Sequence, residues 1–474
     1  MAPSPPLASR CRRRPTLVTL LPLSVAVLVA GWMAGCATRP ASPPRNALVI
    51  VVDTLRWDHV GCYGHERDTT PAVDSLAAEG VRFDAAYSTA PWTKPAVASM
   101  LTGLYPSAHG VKTLNDGLAE AHRTLPEILV DHGYRTGGVI SHTLLTNGEE
   151  NRFGQGFELY LEREAKGHRH VSTNGVTEQA IRMLQEFAAG GQPFLIFVHY
   201  FDPHFNYVRH PEVGYAAPRA GRLDGTEHIT EIVDMRASMT PEEIDFLRDL
   251  YDEEISFTDS GIGRLLRALR DEDLDDETVV VFTADHGEEF RERGWIGHTR
   301  TLYEELVRVP LVVRLPGAVS AGRSFDKPVS LAALTPTLLE LMGVDATDTN
   351  FQADSFADAV RDPDSAVSRP AFSEVDFVPL YSKNAIKRAH KKALVLDRHK
   401  IVRDDETGKI EIFNLEADPL ESRNLAASDP RLRELLLAAL ERQVRLAHQE
   451  AVSPAKETFD EEQLETLRGL GYVQ

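Results

Sequence analysis

Three aliphatic runs constrain this chain more than any other feature. Residues 46–52 (NALVIVV), 193–198 (PFLIFV) and 278–282 (TVVVF) are unbroken apolar segments. A strand with one wet face alternates, whereas a continuous apolar run needs cover on both faces, as in a parallel sheet under helices. Helical patterns fall between the runs. At Thr240-Pro241-Glu242-Glu243 the Thr and Glu are spaced as a capping box with Pro at the first helical position, and Ile244, Leu247, Leu250 and Tyr251 follow at helical spacing. Alternating strands and helices predict an α/β fold with a mostly parallel central sheet flanked by helices.

Each run also ends in residues that bind metals. The first stops at Asp53, the second leads into His199-Tyr200-Phe201-Asp202-Pro203-His204, and the third into Thr283-Ala284-Asp285-His286-Gly287. Open α/β sheets bind ligands beyond the carboxyl ends of their strands. One Asp at such an end is more often a turn residue or a helix cap. Three such ends together supply the carboxylates and imidazoles of a divalent-metal site. The mixed donors suit Zn²⁺ or Mn²⁺, with Ca²⁺ or Mg²⁺ as the alternatives where oxygens dominate.

Residues 90–110 carry a further candidate. Pro95 is placed to open a short helix and Gly103 to end it. Thr93 then stands just ahead of a helix N-terminus. On position alone it reads as an N-cap. The functional alternative is a nucleophile whose hydroxyl is activated by a metal or a base.

The 474 residues carry 51 Lys+Arg against 71 Asp+Glu, a net charge of −20. Such a chain repels both a phosphate backbone and an anionic lipid surface. Nucleic acid is therefore excluded as a partner, and membrane attachment must be hydrophobic or covalent. The N-terminus offers such an attachment. A basic cluster (Arg10, Arg12, Arg13, Arg14) precedes the apolar residues 16–34 and then Ala34-Gly35-Cys36. This is a secretory signal, and its small-small-Cys ending resembles a bacterial lipobox with Cys36 as the lipid attachment point, although Met33 stands where Leu is usual. An uncleaved anchor and a cleaved soluble protein are the alternatives. The expectation is a lipoprotein-type signal over 1–35, a linker over 36–45, and a protein lipid-anchored in the bacterial cell envelope, outside the cytoplasm. Of the remaining cysteines, Cys11 lies within the signal. Cys62 then has no intrachain partner and reads as a small buried apolar residue.

Several blocks together resemble the sulfatase family of the alkaline phosphatase superfamily, over residues 47–425. Val51-Val52-Asp53-Thr54-Leu55-Arg56-Trp57-Asp58, with Tyr63-Gly64, resembles its first metal motif. Thr93 through Gly103, with His109-Gly110, resembles its nucleophile motif. Asp202-Pro203-His204 resembles a substrate or metal block. Thr283 through Gly287, with Gly297-His298 and Tyr303-Glu304-Glu305, resembles its second metal motif. Phe413-Asn414-Leu415, Asp418-Pro419, Glu421 and Asn424-Leu425 resemble its small C-terminal subdomain. The resemblance implies an alkaline-phosphatase-like central sheet with a C-terminal antiparallel subdomain, and a divalent metal held by Asp53, Thr93, Asp285 and His286. It also implies that Asp202, His204 and His298 hold a second metal or the substrate.

The departures from the family pattern carry as much information. Sulfatases oxidise a Cys or Ser to formylglycine, and Thr93 stands at that position. Its β-carbon already bears a methyl group, so oxidation would give a ketone. The family Arg four residues on is Val97, and Asp53 is followed by Thr54 where a second acid is usual. The family Lys-x-His block is absent after Gly133-Tyr134-Arg135-Thr136, and the sulfate-gripping Lys is replaced by His298. What remains resembles phosphodiesterases, phosphonate hydrolases and phosphoethanolamine transferases, which can use threonine. The reading is a metal-dependent hydrolase that cleaves phosphate-type or sulfate esters through Thr93, on a small-molecule, glycan or lipid substrate. The alternatives are a sulfatase proper, a phospho-group transferase to an alcohol, and a catalytically silent binding lipoprotein.

The catalytic domain is expected over 46–345, the C-terminal subdomain over 346–450 and a helical tail over 451–474. Residues 341–370, rich in Asp, Ala and Ser, read as a boundary or surface excursion. The basic stretch Lys387-Arg388-Ala389-His390-Lys391-Lys392 reads as solvated surface. Asp404 to Gly408 reads as a hairpin turn between strands, and 461–470 as a short amphipathic helix.

Overall fold

The structure is a computed structural model that describes residues 43–166, 170–318, 321–377 and 388–469. The proposed signal, Cys36, Lys387 and the last residues of the tail lie outside the described residues. Among the described residues no helix is long and apolar enough to cross a membrane.

The aliphatic runs form the middle of an eight-stranded sheet. Its strands in chain order are β1 (Asn46–Val52), β2 (Val81–Phe83), β3 (Arg135–Ile140), β4 (Leu159–Leu161), β5 (Phe194–Tyr200), β6 (Thr278–Ala284), β7 (Leu311–Arg314) and β8 (Arg323–Phe325). Across the sheet the order is β8-β2-β7-β6-β1-β5-β3-β4. Only β7 runs against the rest. Every residue of β1, β5 and β6 is buried, as continuous apolar strands between covered faces require. The helix Thr173–Gly190 packs on β3 and β5 and against the 31-residue helix Pro241–Asp271. That long helix opens with the Thr240–Glu243 capping box read from the sequence.

Four antiparallel strands follow: β9 (Ala371–Phe377), β10 (Ala389–Leu396), β11 (His399–Asp404) and β12 (Ile410–Asn414). The expected hairpin turn joins the last two. One face of this sheet, with Phe372, Leu394, Ile401 and Ile412, packs on the helix Pro430–Ala447. The other face, with Val375, Val395, Val402 and Phe413, joins Trp92 and Leu144 in a second apolar cluster. Residues 43–474 form one compact unit.

Three sequence expectations fail in whole or in part. Residues 341–370 are not a surface excursion throughout, because Phe356, Ala357, Ala359 and Val360 are fully buried and Phe356 meets the Phe83 ring edge-on at 5.1 Å. The stretch 388–392 is not simply solvated. Strand β10 turns Lys392 inward, where it bonds Glu374 at 2.6 Å and Asp376 at 3.0 Å. Cys62 is free and half-buried rather than buried.

Candidate active site

Strand register builds the site. Val52 of β1 lies level with Tyr200 of β5 and Ala284 of β6, so Asp53 and Asp285 leave the sheet side by side. Ile140 of β3 is level with His199, so the next residues, Ser141 and His142, emerge at the same edge. Immediately after Asp53 the chain kinks at Thr54, whose φ of 54° is costly for a β-branched residue. Two bonds hold the kink: the Thr54 N–H donates to Asp285 Oδ1 at 3.2 Å, and the Tyr251 hydroxyl donates to the Thr54 carbonyl at 2.6 Å.

Thr93 meets this edge directly. Its helix, Thr93–Thr102, begins two residues earlier than the Pro95 reading, with Trp92 extended in the cap position and Gly103 left-handed at the end. The Thr93 hydroxyl therefore does not cap the helix. It lies 3.2 Å from His286 Nε2 and 3.5 Å from Asp53 Oδ1, fully buried. His286 Nε2 is itself 3.5 Å from Asp53 Oδ1.

The histidines divide into two kinds by what their Nδ1 atoms touch. His286 Nδ1 faces the Gly287 carbonyl at 2.9 Å, His204 Nδ1 the Phe205 carbonyl at 3.0 Å, and His298 Nδ1 the Glu288 carboxylate at 3.1 Å. The two carbonyls can only accept, which fixes a proton on Nδ1 of His286 and of His204. Burial pushes His286 down to about 4 and His298 down to about 3, so both stay neutral. His142 is reversed. Its Nδ1 accepts from the Leu144 N–H at 3.0 Å, so the proton of its neutral ring sits on Nε2, 3.7 Å from Asp53 Oδ2. The rings cluster: His286 and His298 are 4.6 Å apart, His204 and His298 5.0 Å, and His142 and His204 5.6 Å.

The charges here fit a cation. Asp53, Asp285 and Glu288 are all wholly buried. Burial, then the charges of Asp285 and Glu288, push Asp53 well above the carboxylate range. Burial opposes ionisation of Asp285 too, but His286 and His199 hold it down to about 2. Asp53 Oδ2, Asp285 Oδ2 and both ring nitrogens of His199 have no hydrogen-bond partner among the described residues. Asp53, His199 and Asp285 form one group whose ligand atoms lie within 4.8 Å of one another, and Asp53, His142 and His204 form another. Buried acceptors left over beside crowded carboxylates suit a divalent cation.

Asp202 is not brought to this centre. Its carboxylate accepts from the Thr173 N–H at 2.8 Å, the Thr173 hydroxyl at 2.6 Å and the Ser172 N–H at 3.0 Å. It closes the start of the Thr173–Gly190 helix from outside, which Ser172 does not do with its own side chain. Two motif acids are likewise structural, since Glu304 and Glu421 hold the buried Lys400. His142 and Glu288 lie at the site without having been singled out from the sequence, and His199, named there as part of the second strand end, was given no role of its own. The strand-end rule reaches His142 once β3 is counted as a fourth strand. A second group, His59, His65 and Asp252, lies elsewhere. There Arg67 already bonds the Asp252 carboxylate at 2.7 Å, which completes its charge.

The chain is similar to known sulfatases in sequence and to solved structures in fold. The sequence matches the family model described as Sulfatase over residues 45–344, and that of the C-terminal region of N-sulphoglucosamine sulphohydrolase over 291–449. It is 24% identical over 465 residues to an arylsulfatase of Clostridium perfringens, covering 84% of this chain and 94% of that one. It is 29% identical over 355 residues to human arylsulfatase A, covering 67% of each. Among solved structures the fold resembles a phosphonate monoester hydrolase of Agrobacterium radiobacter, with TM-score 0.69, 23% identity, and coverage of 86% of this chain and 96% of that one. A protein solved with its substrate D-glucosamine-2-N,6-O-disulfate gives TM-score 0.70 at 20% identity, covering 86% and 98%.

Proposed function

This chain belongs to the sulfatase family of ester-bond hydrolases, and we propose that within it Thr93 is the nucleophile of a metal-dependent centre that prefers phosphodiester or phosphonate substrates. The observation that carries the proposal is the Thr93 hydroxyl, buried within reach of both His286 Nε2 and Asp53 Oδ1. Asp53, Asp285 and His286 would hold a divalent cation beside Thr93. His204 and His298, whose rings lie 5.0 Å apart beside His286, would hold a second cation or the substrate. The imidazole content favours Zn²⁺ or Mn²⁺ over Ca²⁺ or Mg²⁺. When bound, a divalent cation lowers the pKa of a neighbouring hydroxyl and offsets developing negative charge.

The chain's own groups do the rest. Thr93 Oγ1 forms a bond to phosphorus as the ester P–O bond breaks and the leaving alcohol takes up a proton. The Nε2–H of His142, aimed toward Asp53, is a hydrogen-bond donor for the oxyanion. Water then attacks phosphorus, opens the phosphoryl-threonine ester and restores the hydroxyl. A sulfate ester on Thr93 lacks the exit open to formylglycine, whose hydrate expels sulfate by collapsing to the aldehyde. The Thr93 β-carbon has no second hydroxyl to collapse from. Buried Val97, in place of the family Arg, removes a further anion contact.

A second reading, hydrolysis of sulfate esters on a small-molecule or glycan substrate, is favoured by the sulfatase names of the relatives above. The deciding experiment compares kcat/KM on matched aryl phosphodiester and aryl sulfate substrates with defined metals. An advantage for the phosphodiester is expected, and an advantage for sulfate would overturn the preference. The reading also includes lipid anchoring outside the cytoplasm, supported by Ala34-Gly35-Cys36. Cys36→Ser should move the protein out of the membrane fraction or leave it unprocessed.

A further inference from the structure

Residues 450–474 lie beyond both family matches, yet the described part of this tail runs across the nucleophile segment. Ala455–Lys456 pairs with Asp116–Gly117 as a short antiparallel ladder. The Glu457 N–H donates to the Asn115 carbonyl at 2.7 Å, and Asn115 Nδ2 returns a bond to the Glu457 carbonyl at 2.9 Å. Further back, the Val452 N–H donates to the Ala108 carbonyl at 3.0 Å. The tail is thus registered against residues 108–117 by its backbone.

That register delivers one side chain to the residue next to the nucleophile. Lys94 is wholly buried, and its ammonium donates to Glu457 Oε2 at 3.0 Å and to the Leu114 carbonyl at 2.8 Å. Glu457 is the one carboxylate bonded to Lys94 among the described residues. On the other side of Thr93, Trp92 belongs to an apolar cluster that includes Leu467 of the terminal helix Glu461–Gly469 and has Phe459 packed on it. Leu144, whose N–H fixes the His142 tautomer, is in the same cluster. Lys94 is therefore bonded to the tail directly, and Trp92 shares an apolar cluster with it.

We propose that the tail is part of the catalytic apparatus, with Lys94 and Glu457 as a positioning pair that sets where the nucleophile helix begins. A buried ammonium is tolerated only while it is paired. Without Glu457, Lys94 loses its one carboxylate partner among the described residues and moves toward water, which releases the first turn of the helix that aims the Thr93 hydroxyl. A displacement of roughly 1 Å at a nucleophile costs on the order of 100-fold in rate. The inference rests on the reading of Thr93 as the nucleophile.

The test is steady-state kinetics and thermal melting of the full chain with Glu457→Gln, Glu457→Asp, Lys456→Ala and Thr93→Ala, assayed well below every melting temperature. Glu457→Gln should lower kcat about 10–100-fold with KM little changed. Glu457→Asp, which keeps the charge, should recover part of the loss. Lys456→Ala, which removes only the strap's exposed ion pair to Asp116, should keep kcat within about twofold. A folded Glu457→Gln protein with undiminished kcat overturns the inference, whether or not its melting temperature falls. If Glu457→Gln does not fold, the paired apolar variant Lys94→Met/Glu457→Leu replaces it, and undiminished kcat there is equally fatal. Near-normal turnover by Thr93→Ala overturns the nucleophile reading and the inference with it. An inactive Thr93→Ala beside a fully active Glu457→Gln overturns the inference alone.

Discussion

Two of the regions in which the protein buries charged groups balance them differently. Around the C-terminal sheet each buried cation has its own carboxylates. Lys400 sits between Glu304 at 3.0 Å and Glu421 at 2.9 Å, and Lys392 between Glu374 and Asp376. At the edge of the main sheet, Asp53 and Asp285 have only histidines as ion-pair partners among the described residues. Of these, His286 is held neutral by burial. With Arg308 beside Glu304, Arg293 beside Glu421 and Lys112 beside Asp376 as further cations, the first region is matched within the protein and acts as a fastening between sheet and body. The second carries negative charge that the protein does not neutralise. A fold tolerates that arrangement where a cation from outside completes it, which is the signature of a functional rather than a structural cluster.

The largest expected effect lies in the incomplete region. Thr93→Ala should lose roughly 1,000-fold or more in kcat while its melting temperature stays close to that of the wild type, because the Thr93 hydroxyl is not a helix cap. Circular dichroism melts beside turnover assays check both halves, and a stable variant with near-normal turnover would erase the distinction between the regions. The complete region should respond in the opposite sense. Lys400→Met leaves Glu304 and Glu421 buried without their cation and should cost about 3–5 kcal/mol of stability, measured by denaturant unfolding, with metal content per folded molecule unchanged. The smallest effect belongs to Asp202, a strand-end carboxylate on the structural side of the divide. Asp202→Asn should cost about 1 kcal/mol through the weakened helix start and leave bound metal at the wild-type level. Loss of metal in that variant would return Asp202 to the centre.

The divide marks what the sequence could and could not reveal. The strands and the Thr240 capping box are local patterns, and their chemistry is decided within a few residues. The charge state of a side chain at a strand end is not local. Asp53 and Asp202 look alike in the chain, each following an aliphatic run, yet Asp202 turns back onto the N–H groups of residues 172 and 173 while Asp53 faces Thr93. Lys392 looks like part of an exposed basic stretch until the pleat of β10 turns it inward. His142 was hidden because β3 contains Gly137 and Gly138 and lacks the aliphatic signature of its neighbours. Glycine there follows from close packing, since a Cβ on Gly137 would strike the Met183 side chain and one on Gly138 the Tyr160 ring. Residues 356–360 were missed because a short buried helix of five residues has too little periodicity to register.

Metal content measured by elemental analysis on purified, extensively dialysed protein tests the contrast most directly, with wild type, Asp285→Ala and Lys400→Met compared at equal folded concentration. The wild type should retain divalent metal, Lys400→Met should retain the same amount, and Asp285→Ala should lose most of it together with activity. Full metal occupancy in folded Asp285→Ala, or none in the wild type after refilling with Zn²⁺ or Mn²⁺, would contradict the assignment of the strand-edge cluster as the metal centre.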